Sequence, residues 1–154
     1  MVAGVAFVAP AQAATKDLAI GVTLDIDKLD PHTATSFSTV RALGLVYGSL
    51  VEVGPKLDIR SGLAASWGFN SDSTELRLNL RKGVKFHDGS EFDAEDVKAS
   101  VNRVLDTKTT AAARANIATI SSVTGSGRTV VIKLSVPNAP ILAALDGVNM
   151  SMLS

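Results

Sequence analysis

The sequence predicts an α/β fold built on a mixed sheet, and three stretches predict it. Thr74–Arg81 alternates leucine with polar residues. Ala94–Leu105 places its valines and leucine at helical spacing behind an aspartate. Two β-branched runs flank Gly125-Ser126-Gly127-Arg128. Strands that bury one face need a partner layer, and an amphipathic helix supplies it.

The chain has 154 residues, enough for one domain and a sizeable core. Hydrophobic residues make up 46% and charged residues 19%, which excludes a disordered chain. Lys plus Arg and Asp plus Glu number 15 each, so no net charge draws the chain to nucleic acid or an anionic membrane. With no cysteine, disulfides, thiolate nucleophiles and thiolate-held metals are excluded.

Met1–Ala13 reads as the remnant of a signal peptide: an uncharged apolar run from Val2 to Ala9, then Ala11-Gln12-Ala13 with the small residues a signal peptidase requires. Cleavage is expected after Ala13, which leaves 14–154 as the exported domain. Leu18–Leu24 is apolar and partly β-branched, the pattern of a buried strand. Asp25, Asp27 and Asp30 follow it. An EF-hand would need a glycine at the bend and a closing glutamate, and both are missing, so Asp30-Pro31 is read as a turn. A helix capped by Ser38 is expected to run to about Leu50, with Val40, Leu43, Leu45, Val46 and Leu50 on one side. Gly44 and Gly48 weaken it, and their bare Cα atoms suit a close approach by another backbone. Leu50–Val53 is a short strand ended by Gly54-Pro55.

Leu63–Trp67 leads to a polar turn at Asn70–Ser73. In the strand that follows, Leu76, Leu78 and Leu80 share one face, and Glu75, Arg77, Asn79 and Arg81 the other. Val84–Phe86 reads as another short strand, closed by the turn pair Asp88-Gly89. Asp93 stands at the N-cap of the helix Ala94–Leu105, and Glu95 and Asp96 favour its positive end. Val97, Val101, Val104 and Leu105 form the apolar stripe, with Lys98, Asn102, Arg103 and Asp106 on the solvent side. Thr107–Asn116 is expected to be partly helical. Ile117–Thr124 and Thr129–Leu134 form a hairpin, Pro137–Pro140 breaks the chain, and an apolar segment begins at Ile141.

Reactive constellations are hard to assemble from these residues. His32 and His87 are the only histidines, and neither belongs to a metal-binding spacing. His87-Asp88 lies in a turn, where a sequence neighbour seldom orients an imidazole as a triad aspartate does. No Gly-x-Ser-x-Gly elbow occurs. Gly125–Thr129 lacks the lysine and following helix of a phosphate loop. Trp67 and Phe69 are assigned to the core rather than to a stacked ligand. Neither a catalytic residue, nor a cofactor, nor a metal is therefore expected.

The residues Leu63, Ala64, Ser66 and Trp67, then Leu80, Arg81, Gly83, Val84, Phe86, His87, Asp88 and Gly89, then Ala94, Glu95, Asp96 and Val97 resemble the signature region of the family 5 extracellular solute-binding proteins, the peptide- and nickel-type receptors of ABC importers. Leu29-Asp30-Pro31, Tyr47-Gly48-Ser49-Leu50 and the hairpin before Pro137 extend the likeness from about Lys16 to Ala144. Asp93 departs from the pattern, standing where a threonine cap is common, and Asp72-Ser73 replaces the usual Asp-Gly. The resemblance implies the N-terminal part of a type II periplasmic binding-protein-like lobe, with its accessory subdomain, from a receptor several times longer. It implies a monomeric, non-enzymatic receptor outside the cytoplasmic membrane. Such a receptor closes two lobes on a small solute, a peptide or similar, and hands it to a membrane permease. Ligands sit beyond the carboxyl ends of strands, which makes Thr23 and Asp25, after the first strand, and Ser36 and Phe37, at the first helix start, the expected contacts. Read without the resemblance, the residues also admit a piece of an exported hydrolase or a non-catalytic interaction module.

Overall fold

The computed structural model describes residues 20–21 and 25–154. The segment Met1–Ala13 expected to be a signal-peptide remnant, most of the strand expected at Leu18–Leu24, and Thr23 lie outside the described residues.

The centre of the fold is the four-stranded sheet β3-β4-β6-β5, formed by β3 (Ala64–Phe69), β4 (Glu75–Leu80), β5 (Ile120–Ser126) and β6 (Thr129–Leu134). The leucine alternation does what the sequence requires. Leu76, Leu78 and Leu80 are fully buried, while Arg77 and Asn79 face solvent. β4 is an inner strand: Leu78 sits opposite Trp67 on β3 and Val130 on β6. Every strand pairing among the described residues is antiparallel, where the sequence led to a mixed sheet. Two of the three pairs in this sheet are simple hairpins, whose short turns cannot make the crossover that parallel pairing needs.

Helix α2 (Ala94–Leu105) covers the apolar face with Val97, Val101 and Val104, each fully buried. Its start is a complete capping box. The Asp93 carboxylate accepts from the Glu95 amide at 2.8 Å, and the Asp96 carboxylate accepts from the Asp93 amide at 2.8 Å. Gly125 on β5 lets the helix approach: a Cβ there would lie 2.8 Å from the Ala94 Cβ and 2.6 Å from the Thr129 carbonyl oxygen.

Several boundaries differ from the sequence reading. Helix α1 spans only Phe37–Leu43, with Ser36 rather than Ser38 at the N-cap position. Gly44 ends it, and the amides of Leu45 and Val46 turn back to the carbonyls of Ala42 and Leu43. Leu45 and Val46 are left 90% and 52% exposed instead of joining an apolar face. What approaches Gly48 is the Leu63 side chain, and Gly44 meets the Val148 side chain and the carbonyls of its own helix, Val40 and Arg41, rather than the backbone of another segment. β1 (Val51–Val53) pairs with β2 (Ile59–Ser61), a strand too short and too polar to show in the sequence. Val84–Phe86 is not a strand. One bridge, Lys85 to Glu91, and the Phe86–Ser90 and Phe92–Val84 backbone bonds close a tight loop instead. The β5–β6 turn is two residues, Gly127-Arg128, with Gly127 at φ +55°; Ile117 belongs to a 3-10 turn, not to β5. The segment from Ile141 opens as the single-turn helix α3 (Ile141–Ala144). No helix among the described residues is long and apolar enough to cross a membrane.

Candidate functional site

The first candidate region is where the segment after residue 25 meets the start of α1. Thr39, fully buried in the first turn of α1, receives the Asp27 amide on its hydroxyl oxygen at 3.1 Å and donates its own proton to the Asp27 carboxylate. That bond holds the Asp27 carboxyl below its ordinary pKa. The same pair of bonds ties Asp27 to the helix. Ser36 and Phe37 stand at the start of α1, and Asp25 lies two residues before the tethered Asp27. Asp25 is exposed, and among the described residues its carboxylate accepts only from the neighbouring Ile26 amide at 2.7 Å. Ser36 occupies the N-cap position, yet its hydroxyl caps nothing. Phe37 is 75% exposed, with the Arg41 guanidinium 5.5 Å above the ring centre, a cation–π pair on the surface.

Two concave regions lie elsewhere, and none of these residues lines either. A groove of about 500 Å³ runs between the end of α1 and the 84–92 loop, past Tyr47, Leu63, Phe86, His87, Phe92 and Met152. Phe86 and Phe92 meet edge to face in its wall, centroids 5.8 Å apart. A second hollow of about 380 Å³ lies against β3 and β4 beside Trp67, Phe69, Asn70 and Arg77. Trp67 and Phe69 are half-buried, packing on the core from the edge strand.

His87 is exposed at the turn. The Asp88 carboxylate is occupied by the amide and hydroxyl of Ser90, at 2.9 and 2.6 Å, which holds its pKa below the usual carboxylate value. It orients the turn, not the imidazole. Among the described residues no three His, Asp or Glu side chains converge as metal ligands.

The polar cluster that does assemble escaped the sequence reading. His32 is fully buried. One ring nitrogen, Nε2, lies 2.8 Å from the Ser151 carbonyl oxygen, and the other, Nδ1, lies 2.8 Å from an Arg103 guanidinium nitrogen. A carbonyl can only accept and a guanidinium can only donate, so the neutral ring carries its proton on Nε2. Arg103, assigned to the solvent side of α2, is instead drawn inward by the Asp30 carboxylate in a two-pronged pair at 2.6 and 3.1 Å. The pair lowers the Asp30 pKa and raises that of Arg103, while burial pushes His32 down. Asn149 adds two bonds, to the Pro31 and Ala34 carbonyls at 2.7 and 2.8 Å. Asp30-Pro31-His32 and an arginine late in a helix were visible, but no sequence signal joins residues so far apart.

Against solved structures, this arrangement of sheet, capped helix and flanking segments is that of a periplasmic binding-protein lobe. The protein AgaA of A. tumefaciens R10, solved with agropinic acid, matches 84% of this chain and 26% of its own, with TM-score 0.79 and 29% identity. NikZ from Campylobacter jejuni, solved with Ni(L-His), matches 85% of this chain and 26% of its own, with TM-score 0.74 and 27% identity. The sequence profile of the bacterial extracellular solute-binding proteins, family 5 Middle, matches residues 58–153, and the chain belongs to that family. Among curated relatives, the glutathione-binding protein GsiB of Escherichia coli K12 is 30% identical over 93 residues, covering 60% of this chain and 18% of its own length. The chain thus spans under a fifth of the length of the curated relatives it matches.

Proposed function

We propose that residues 14–154 form part of the first lobe, with its accessory subdomain, of the substrate-binding component of an ABC importer. That component captures a peptide or similar small solute outside the cytoplasmic membrane and delivers it to a membrane permease, working as an exported monomer after removal of 1–13. It performs no chemistry on its cargo. The observation that carries the reading is the family match over 58–153, together with a backbone that matches a binding protein solved with agropinic acid over 84% of this chain.

Thr23, Asp25, Ser36 and Phe37 are the proposed contacts. The uncommitted Ser36 hydroxyl, the Asp25 carboxylate with one partner and the exposed Phe37 ring support the last three, because each has bonding capacity or apolar surface that the other described residues leave unused. Physically, a solute that contacts both lobes favours the closed form and shifts the population toward it.

The test is isothermal titration calorimetry on the product of the complete reading frame, with glutathione, di- to pentapeptides, opines and nickel–histidine as probes. One class should bind at about micromolar Kd, near −8 kcal/mol. Asp25→Ala and Phe37→Ala should each weaken it by about ten-fold, roughly 1.4 kcal/mol. The 154-residue chain alone should bind no probe more tightly than ~1 mM, because the opposing lobe is missing. If the full product binds none of these, or cleaves one, the reading fails.

A further inference from the structure

We propose that His32 is an acid-sensitive latch: gaining a proton, it releases residues 149–153 from the Asp30–His32 segment and helix α2. The geometry leaves the ring no room for a second proton. Nε2 already donates to the Ser151 carbonyl, and Nδ1 already accepts from Arg103. A protonated ring would aim an N–H at a guanidinium N–H, donor against donor and cation against cation.

The groups facing His32 from each packed element decide whether relief is available. From α2 comes Arg103, a permanent cation. From its own segment comes Asp30, whose two carboxylate oxygens are already bonded to Arg103, while Oδ1 also accepts the His32 amide at 3.1 Å. From the 149–153 segment comes only the Ser151 carbonyl, and from residues 111–112 the Ala112 amide, which bonds the His32 carbonyl at 2.9 Å. No uncommitted carboxylate faces the imidazolium. Burial disfavours the charged ring further, and its pKa is held below the ordinary imidazole value.

Residues 149–153 are the part that gives way. Beyond the ring they are held by the buried side chains of Met150 and Met152 and by few bonds: Asn149 to Pro31 and Ala34, Met152 to Gly48, and Leu153, whose amide donates to the Ser100 hydroxyl at 2.9 Å and whose carbonyl accepts from it at 3.4 Å. The Ser151 hydroxyl is buried with no partner, a standing cost that release removes. Helix α2 keeps its own cap and its valine stripe whether or not the latch is closed.

The sign follows from linkage. A histidine whose folded pKa is depressed leaves stability intact above the unfolded value of about 6.5, and loses it as pH falls below that value toward the folded pKa. One proton is involved, so the opening equilibrium should rise by an amount approaching ten-fold per pH unit through that window.

Hydrogen–deuterium exchange by mass spectrometry, at pH 7.5, 6.5 and 5.5 and corrected for the intrinsic rate, tests this on the full protein carrying the chain. Protection of peptides covering 149–153 should fall toward ten-fold per unit below pH 6.5, while peptides within 97–104 keep theirs. His32→Gln, whose amide can donate to Ser151 and accept from Arg103, should flatten the dependence, and His87→Gln should leave it as in the wild type. In the unmutated protein, deuteration of the His32 ring carbon should report a midpoint below 6.5, at the low-pH end of the window in which protection is lost, which keeps the test valid if His32→Gln misfolds. Unchanged protection at 149–153 down to pH 5.5, the same loss in His32→Gln, or a His32 midpoint at or above 6.5 would each overturn the latch.

Discussion

Replacing Leu78 with alanine should cost far more stability than replacing His87, and the difference tests whether Gly83–Leu105 and the strand before it are architecture. Leu78 is fully buried, in an inner strand between Trp67 and Val130, within the same core as Val97 and Val101. Truncation to alanine removes three buried carbons, about 2.4 kcal/mol at ~0.8 kcal/mol each. Strands on both sides and a helix above prevent collapse onto the gap, so the cavity adds to this and the expected loss is about 3–4 kcal/mol, within the range of buried leucine truncations. His87 is exposed at a turn whose geometry is set by Asp88 and Ser90, so His87→Ala should change stability by no more than ~0.5 kcal/mol. Urea unfolding followed by Trp67 fluorescence measures both. At an m-value of about 1.5–2 kcal/mol per molar, Leu78→Ala should lower the midpoint by roughly 2 M and His87→Ala by at most ~0.3 M. If Leu78→Ala abolishes folding, Ile132→Val, also fully buried, offers a milder step of about 0.5–1.5 kcal/mol. A His87 variant that loses more than ~1.5 kcal/mol while Leu78→Ala loses less than ~1 would refute the assignment of this region to scaffold.

Three further outcomes are expected. Asp93→Ala should destabilise by about 1 kcal/mol in urea unfolding, and adding Asp96→Ala should cost less than the two single losses together, because both side chains serve one capping box. Gly125→Ala should cost about 1–3 kcal/mol, since its Cβ would meet the Thr129 carbonyl and Ala94, while Gly68→Ala, with open space around it, should be nearly silent by thermal melting. The Asp30 carboxylate has a lowered folded pKa, so its contribution is present above about pH 4 and is lost as pH falls below that; Asp30→Asn should therefore remove part of the acid limb of the stability–pH curve measured below pH 4.

The sheet and its helix were legible because their signals are local. Leucine at every second position of β4, and valine at four- and three-residue spacing behind Asp93 in α2, fix which faces are buried before any tertiary contact is known. The boundaries of α1 were not legible. A seven-residue helix has little intrinsic stability, so Gly44 and the packing of Val148 set its end rather than the run of apolar residues to Leu50. Apparent amphipathicity there misled, because Leu45 and Val46 follow the helix in turns. β2 and the 84–92 loop failed for a related reason: with three or fewer paired residues, register is set by neighbouring segments and not by alternation.

The candidate site shows the same division. Asp25, Ser36 and Phe37 were chosen from the order of strand, turn and helix, and the Asp27–Thr39 bonds that tie that turn to the helix span a separation of only twelve residues. The His32 cluster spans from Asp30 to Arg103 to Ser151, with separations of 73 and 119 residues. Each member looked ordinary alone: an aspartate before proline, an arginine one turn from a helix end, a serine near an apolar segment. Their meaning comes from valence. A buried imidazole must satisfy two nitrogens, and the only arrangement that satisfies both here draws Arg103 off the solvent face and fixes the tautomer. Long-range polar clusters of this kind are specified by complementarity of donors and acceptors, which a linear pattern of hydrophobicity does not encode. The same requirement gives His32 its pH dependence: a site in which every donor and acceptor is committed has no place for one more proton.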